Sequence, residues 1–344
     1  MVTKEQEAKT EDGLGKVTER IDKAFDVERL PFRRNLTLEE MQNLRSAASS
    51  AFSAAIHPDV IEKIMHYCYY VERHMKGRAA GNIEDMVIRY LVRYFASTQA
   101  AGNGKDTVHL EIGALFGAAT IFSCHAVSLA GKNIATAVID PFEGYYGQEV
   151  DIVTKLKVDE ETFWANIRHF GFNEENVKVF KGLSTDTGII ERCKELKILS
   201  LIIDGDHTYE GVKKDWLNYR RQVAPGGYVL FDDYNSTAWP EVTLFVNREI
   251  LSNLAGRWEV ALVYGNSLIL RRTDFSGDKG SEYAEKLLHE LKDAGRTIER
   301  QEEIIKNLDK QLQAMQNSLS WKVTAPLRYL GRLSTEPKGK KDKG

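Results

Sequence analysis

Val108-His109-Leu110-Glu111-Ile112-Gly113-Ala114-Leu115-Phe116-Gly117 decides how the rest of the chain is read. Val108 to Ile112 is a short apolar run of strand length, and Ala118 to Leu129 beyond it is a window of helix length. Between them stand two glycines four positions apart, which let the backbone come close to a ligand while the helix that follows presents its N-terminal amides. Working outward, further apolar runs appear at Ile134–Ile139, Val177–Phe180, Leu199–Ile203 and Tyr228–Phe231, with helical windows at Glu161–Phe170 and Gly211–Gln222. Strands that alternate with windows long enough to cross a sheet predict right-handed crossovers and parallel pairing. Trp258–Tyr264 and Ser267–Arg271 then flank the turn pair Gly265-Asn266, which predicts an antiparallel hairpin. The expected fold is α/β, a mostly parallel seven-stranded sheet that ends in an antiparallel hairpin.

This core is expected over residues 102–275, with other material on either side. Residues 1–35 are charged and poor in large apolar side chains, so loose order is expected. Residues 36–101 carry helical patterning from Leu38, from Asp59 to His74, and from Ile83 to Phe95, where Asn82 opens the helix and Glu84 and Asp85 sit in its first turn. In residues 276–320, Leu287, Leu291, Ala294, Ile298, Gln301, Ile305, Leu308, Leu312, Met315 and Leu319 recur in alternating steps of four and three. That spacing, with charges between, predicts a C-terminal coiled-coil helix and a homo-oligomer. Residues 321–344 hold seven Lys or Arg against Glu336 and Asp342, a tail of +5 on a remainder of −8, mixed with aromatic and leucine side chains. Such a tail suits an anionic membrane surface or a partner protein, and equally a solvated end.

The net charge of −3 offers no basic field, so nucleic acid is not expected as a partner. Seven prolines and 26 glycines in 344 residues exclude collagen-like and mucin-like chains. Cys68, Cys124 and Cys193 form neither a disulfide framework nor a zinc site and read as reduced thiols. No apolar window reaches spanning length and the N-terminus lacks an apolar leader, so a cytoplasmic location is expected.

The chemistry concentrates at strand ends. Asp140 closes the second strand, where a carboxylate can accept both hydroxyls of a ribose or cap a turn. Ile203-Asp204-Gly205-Asp206-His207 follows the fourth strand and Phe231-Asp232-Asp233-Tyr234 the fifth. In a parallel sheet both segments leave neighbouring carboxyl ends, so four carboxylates are expected to converge on one crevice. A cluster of that kind repels itself unless a cation neutralises it, and oxygen donors select Mg²⁺ or another hard divalent ion. His207 reads as a second base, an acceptor contact or a turn residue; His66, His74, His125 and His169 read as satisfied core or surface side chains.

Together, Glu111-x-Gly113-x-x-x-Gly117, Asp140, Gly182-Leu183-Ser184, Asp204-Gly205-Asp206-His207-x-Tyr209-Glu210-Gly211 and Pro225-Gly226-Gly227 ahead of Asp232-Asp233 resemble class I S-adenosylmethionine-dependent methyltransferases. Their Rossmann-like fold is thereby implied. Within that superfamily the likeness is to the metal-dependent sugar O-methyltransferases of the macrocin and aminocoumarin type, and it spans roughly Ile83 to Arg272. The resemblance implies that Glu111, Gly113 and Gly117 line the methionine end of the cofactor, with Asp140 at the ribose and Ser184 near the adenine. It implies magnesium ligands at Asp204, Asp232 and Asp233 and a general base at Asp206. Where sugar enzymes of this type often continue Leu-Tyr-Glu after the second aspartate, His207-Thr208 intervene here, which leaves the base open between Asp206 and His207. Acceptor contacts are expected from Pro141–Gly147 and Tyr234–Trp239, two aromatic-bearing loops on which a sugar face can stack. Ser318 to Arg328 is similar to an element that ends many bacterial enzymes of cell-surface polysaccharide assembly, which implies a carbohydrate acceptor, a glycosyltransferase partner and a peripheral place at the inner face of the membrane. The alternatives are an O-methyltransferase for another small hydroxylated metabolite and a non-catalytic scaffold of an assembly complex.

Overall fold

The computed structural model describes residues 33–100, 106–144, 147–254 and 257–273. The expected coiled coil at 276–320, the basic tail at 321–344 and nearly all of the N-terminal segment lie outside the described residues. Among the described residues three helices come first: α1 (Leu38–Ala51), α2 (Pro58–His74) and α3 (Ile83–Thr98). Each begins where its cap dictates. Thr37 and Glu40 close a reciprocal capping box on α1, Pro58 occupies the first turn of α2, and Asn82 with Asp85 caps α3. Ahead of α1, Arg33 places two N–H groups on the buried Glu72 carboxylate at 2.7 and 2.6 Å, which ties the segment before α1 to α2.

The alternating core then runs β1 (Thr107–Ile112), α4 (Ala118–Leu129), β2 (Ala135–Asp140), α5 (Glu160–His169), β3 (Val177–Lys181), α6 (Thr187–Cys193), β4 (Lys197–Ile203), α7 (Tyr209–Tyr219) and β5 (Val223–Phe231). After it come α8 (Pro240–Phe245), which continues through a π turn at Val246–Ile250 and a 3₁₀ turn at Leu251–Asn253, and the hairpin of β6 (Trp258–Tyr264) and β7 (Ser267–Arg272). The seven strands lie in the order β3-β2-β1-β4-β5-β7-β6, parallel from β3 to β5, with β7 antiparallel to both β5 and β6. The expected class is therefore the observed one. Differences are local: β5 starts at Val223, so Pro225-Gly226-Gly227 lies inside the strand, where the pairing slips between Ile198↔Val223 and Ser200↔Tyr228. The short helices α6 and α8 have no counterpart in the sequence reading.

The helical segment and the sheet share one core. Leu44, Ile61, Val87 and Leu91 pack in the same cluster as Phe122, Val138, Ile202 and Leu230. Asp85, buried at the start of α3, accepts hydrogen bonds from Asn266 N and Ser267 Oγ, both at 3.1 Å, and so fastens the hairpin turn to the helix. Two turns further, Arg93 is fully buried and donates to the Ser200 carbonyl at 2.8 Å and to the Leu110 carbonyl at 3.1 Å. The guanidinium thereby ties α3 to the middle of β1 and to β4 beside its register slip at Ile198/Ser200. No helix among the described residues is long and apolar enough to cross a membrane.

Candidate functional site

The carboxyl ends of β1, β2, β4 and β5 open into one cavity of ≈490 Å³. Two glycine positions explain how the backbone closes around it. Gly113 has φ +87°, and a Cβ there would lie 2.0 Å from the Asp204 carbonyl oxygen, so the ends of β1 and β4 can touch only without a side chain. Gly117 caps α4 in the left-handed region at φ +89°, and a Cβ there would meet the Phe163 ring at 2.9 Å.

Glu111, Gly113, Asp140 and Ser184 line the cavity, whereas Gly117 does not; its close neighbour is the α5 side chain. Glu111 is buried and accepts from Thr120 Oγ1 at 3.1 Å, with Arg93 at 4.0 Å; burial pushes its carboxyl up to about 7. The two oxygens of Asp140 accept from Ala114 N and Phe142 N, each at 2.7 Å, so the carboxylate pins the glycine-bearing turn to the end of β2. Ser184 Oγ donates to Asp215, a buried α7 side chain whose second oxygen has no partner and whose pKa burial raises to about 7.

The second wall is the acidic one. Asp204, His207, Asp232 and Asp233 each offer a donor atom, all within 4.8 Å of one another. His207 Nε2 stands 3.3 Å from Asp204 Oδ1 and 3.2 Å from Asp233 Oδ2, and its ring stacks on Trp239 with centroids 4.8 Å apart at 22°. All four expected carboxylates, Asp204, Asp206, Asp232 and Asp233, line this cavity, and within it His207 rather than Asp206 completes the group of close donor atoms. Asp206 is exposed, its Oδ1 accepts from Thr208 N at 2.9 Å, and it folds back over Gly211, where a Cβ would lie 2.3 Å from its carboxyl carbon. The side chain lines the cavity while one of its oxygens holds the turn that begins α7.

A residue absent from the sequence reading sits between the acids. Arg89, on α3, reaches Asp204 Oδ2 with Nη1 at 2.9 Å and pairs with Asp232 through Nη2, at 6% side-chain exposure. Burial opposes its charge, yet Asp204 and Asp232 more than offset that and hold the guanidinium well above its ordinary pKa. Burial likewise works against ionised Asp204, but Arg89 and His207 keep it below the usual carboxylate range. Asp232 goes the other way: burial, reinforced by Asp204 and Asp233, drives it well above. Asp233 adopts φ +56°, a conformation that side chains rarely take. The one available signal for Arg89 was the pair Arg89 and Arg93, four apart on a helix whose neighbouring positions are mostly apolar, since charged side chains seldom enter a core without a task.

Of the two loops expected to touch an acceptor, Pro141, Gly144, Ser236, Ala238 and Trp239 line the cavity. Tyr145 and Tyr146 lie outside the described residues. Tyr234 is core: it is fully buried and donates to Asn247 at 2.9 Å. His125 is core as well, hydrogen-bonded to Tyr90 Oη at 2.7 Å through Nδ1.

Residues 110–234 match the family described as a methyltransferase domain. A relative from Acanthamoeba polyphaga mimivirus, "Uncharacterized protein R132", is 32% identical over 230 residues, which cover 64% of this chain and 93% of that protein. Among solved structures, the O-methyltransferase NovP aligns with a TM-score of 0.45 at 19% identity, covering 67% of this chain and 98% of that one. The TDP-rhamnose 3'-O-methyltransferase CalS11, an enzyme in calicheamicin biosynthesis, aligns at 0.40 and 14% identity, covering 71% and 99%.

Proposed function

Because the chain belongs to the methyltransferase-domain family, we propose that it moves the methyl group of S-adenosylmethionine to a hydroxyl of a carbohydrate, with a divalent cation held by Asp204, Asp232 and Asp233. One observation carries this reading: the buried acids that end β1 and β2 and the Asp204-Asp232-Asp233-His207 group face a single cavity, large enough for a small-molecule donor beside an acceptor. The donor atoms suit a hard ion. Three carboxylates and an imidazole lie within 4.8 Å of one another, with Arg89 between Asp204 and Asp232, a donor set that a divalent cation would hold together. When bound, the sulfonium supplies an electrophilic methyl group, and the cation acidifies the acceptor hydroxyl.

The chain's own groups do the rest. Glu111 and Asp140 hold the donor at the glycine-bearing turn, with Ser184 on the same wall. His207 would take the hydroxyl proton once a cation on Asp204 and Asp233 frees Nε2 from the two carboxylates it faces, whereas Asp206 Oδ1 accepts from Thr208 N. Trp239 fixes the imidazole plane and offers a ring edge to a sugar face. Cell-surface polysaccharide assembly at the inner face of the membrane, in a homo-oligomer with a glycosyltransferase partner, is the setting suggested by the sequence of residues 276–344 alone.

Turnover of S-adenosylmethionine against a panel of sugars, nucleotide sugars and phenols, in EDTA and with Mg²⁺ or Mn²⁺ restored, tests the proposal. His207→Gln is expected to cut turnover by about 10²–10⁴-fold and Asp206→Asn by far less. The reverse order would return the base to Asp206. Turnover unchanged in EDTA would leave Arg89 as the resident cation of the site and remove the metal.

A further inference from the structure

A second cavity, of ≈330 Å³, lies at the other end of the sheet, lined among others by Trp216, Arg220, Arg221, Arg257, Trp258 and Arg272. Its position follows from the topology. Arg220 and Arg221 follow the last turn of α7, Val223 opens β5, and Trp258 at the start of β6 pairs with Arg272 at the end of β7. The length of β5, nine residues or roughly 30 Å at 3.3 Å per residue, separates it from the acidic cluster.

The charge there is unbalanced. Arg33, Arg78, Arg89, Arg168 and Arg271 each face a carboxylate. No ion pair among the described residues joins an acid to Arg220, Arg221, Arg257 or Arg272. The one acidic side chain on the wall, Glu249, accepts from Tyr209 Oη at 2.7 Å and lies 3.9 Å from Lys213. Two of the guanidinia are already positioned. Arg272 donates through Nη1 to the Arg221 carbonyl at 3.0 Å and to that of Val223, and Arg220 lies 5.3 Å over the Trp216 ring. Trp216 in turn packs on half-exposed Trp258, centroids 5.0 Å apart. Held arginines with donors to spare match the oxygens of phosphate groups, and four around one cavity exceed what a single carboxylate or monophosphate would answer. The exposed indole adds a flat surface for a ring or an isoprenoid chain.

We propose that this cavity binds a diphosphate group, carried either on a soluble ligand or on a lipid, independently of the methyl-transfer site. Titration of the full chain with inorganic pyrophosphate, followed by calorimetry and tryptophan fluorescence, reads the site directly. Saturable binding is expected, about tenfold weaker for each guanidinium removed and so about a hundredfold weaker in Arg221→Ala/Arg257→Ala, since a charge-assisted hydrogen bond contributes on that order. Both side chains are exposed, so the melting temperature of the double variant should equal that of the parent. A parallel arm uses phosphatidylcholine vesicles with and without a polyprenyl diphosphate. Capture by the diphosphate vesicles, competed by pyrophosphate, assigns the group to a lipid; pyrophosphate binding without capture assigns it to a soluble ligand. Absence of saturable binding in both arms, or equal affinity in the double variant, overturns the proposal.

Discussion

Replacing Arg89 by methionine keeps the length of the side chain and removes its charge from between two buried acids. Asp204 and Asp232 would then face each other and Asp233 with only His207 as counter-charge. Breaking a buried pair by removing one partner typically costs about 3–5 kcal/mol, because the charge left behind has lost its solvent. In a domain of this size each kcal/mol moves the melting temperature by about 2–4 °C, so the Arg89→Met protein is expected to melt about 6–20 °C below the parent. Removing the guanidinium also leaves the acids one positive charge short, so a divalent cation should gain more from the variant than from the parent. At a hundredfold excess over Kd, binding to the folded form alone stabilises by about 2.7 kcal/mol. Thermal melts of both proteins in EDTA and in graded MgCl₂, with NaCl matching the ionic strength, read both effects. Arg89→Lys, which keeps the charge but cannot fork to two carboxylates, should fall between them. Equal melting of Arg89→Met and parent in EDTA would refute the claim that the guanidinium holds the acids. Equal Mg²⁺ shifts in the two would refute the claim that arginine and cation share them.

Gly113→Ala places a methyl group 2.0 Å from the Asp204 carbonyl oxygen at φ +87°, and a loss of about 3 kcal/mol or more in urea unfolding is expected; a loss under about 1 kcal/mol would show that β1 and β4 separate easily. Asp215 is a raised acid, from 3.8 to about 7 in the fold, so the folded protein keeps a proton that the unfolded chain releases, and stability falls as pH rises from about 4 to 7. At roughly 1.36 kcal/mol per pH unit over about three units the Asp215 ceiling is about 4 kcal/mol, and Asp215→Asn should make the decline between pH 5 and pH 8 shallower while the raised Glu111 carboxyl keeps a remainder, with urea midpoints at the two pH values as the check. Asp233→Gly relieves the left-handed backbone at φ +56° and one like-charge contact, so in EDTA it should melt no lower than the parent while losing its response to Mg²⁺; a drop of more than about 2 kcal/mol would mean that the carboxylate stabilises the fold.

The architecture was legible because its signals are redundant. Val108, Leu110 and Ile112, Ala137 to Ile139 and Leu201 to Ile203 are almost wholly buried, so their apolar runs could read only as strands in a covered sheet, and Gly265-Asn266 could read only as a turn. The first residues of β5 escaped notice because Pro225-Gly226-Gly227 has the composition of a turn, while the pairing of Val223 with Ile198 depends on a register slip that no local pattern announces. In the site, topology alone brought Asp204 and Asp232-Asp233 to adjacent strand ends. The fate of Asp206 turns on a different scale, that of a free N–H at Thr208 and the space above Gly211. Both features are three-dimensional, and neighbouring aspartates in a sequence do not disclose which of them brings an oxygen to the His207 group. Arg89 was hidden for a related reason: its partners lie more than a hundred positions along the chain, and only its pairing with Arg93 on a buried helix marked it.

Arg89, Gly113 and Asp233 together say what the helical segment is for. A fold selected for stability alone would place apolar side chains where α3 meets the ends of β4 and β5, and a residue at ease with positive φ where Asp233 stands. Instead α3 sends one guanidinium into the sheet at Arg93, which fixes the helix by two strand carbonyls, and a second one turn earlier into the cavity, which fixes the acids. The first makes the second accurate: with Arg93 anchored, Arg89 arrives at a set height above β4. The acids are thereby positioned before any ligand arrives, and each remains near another charge that it can exchange for a cation or a hydroxyl without moving the backbone. Helices that merely covered the sheet would need neither arginine.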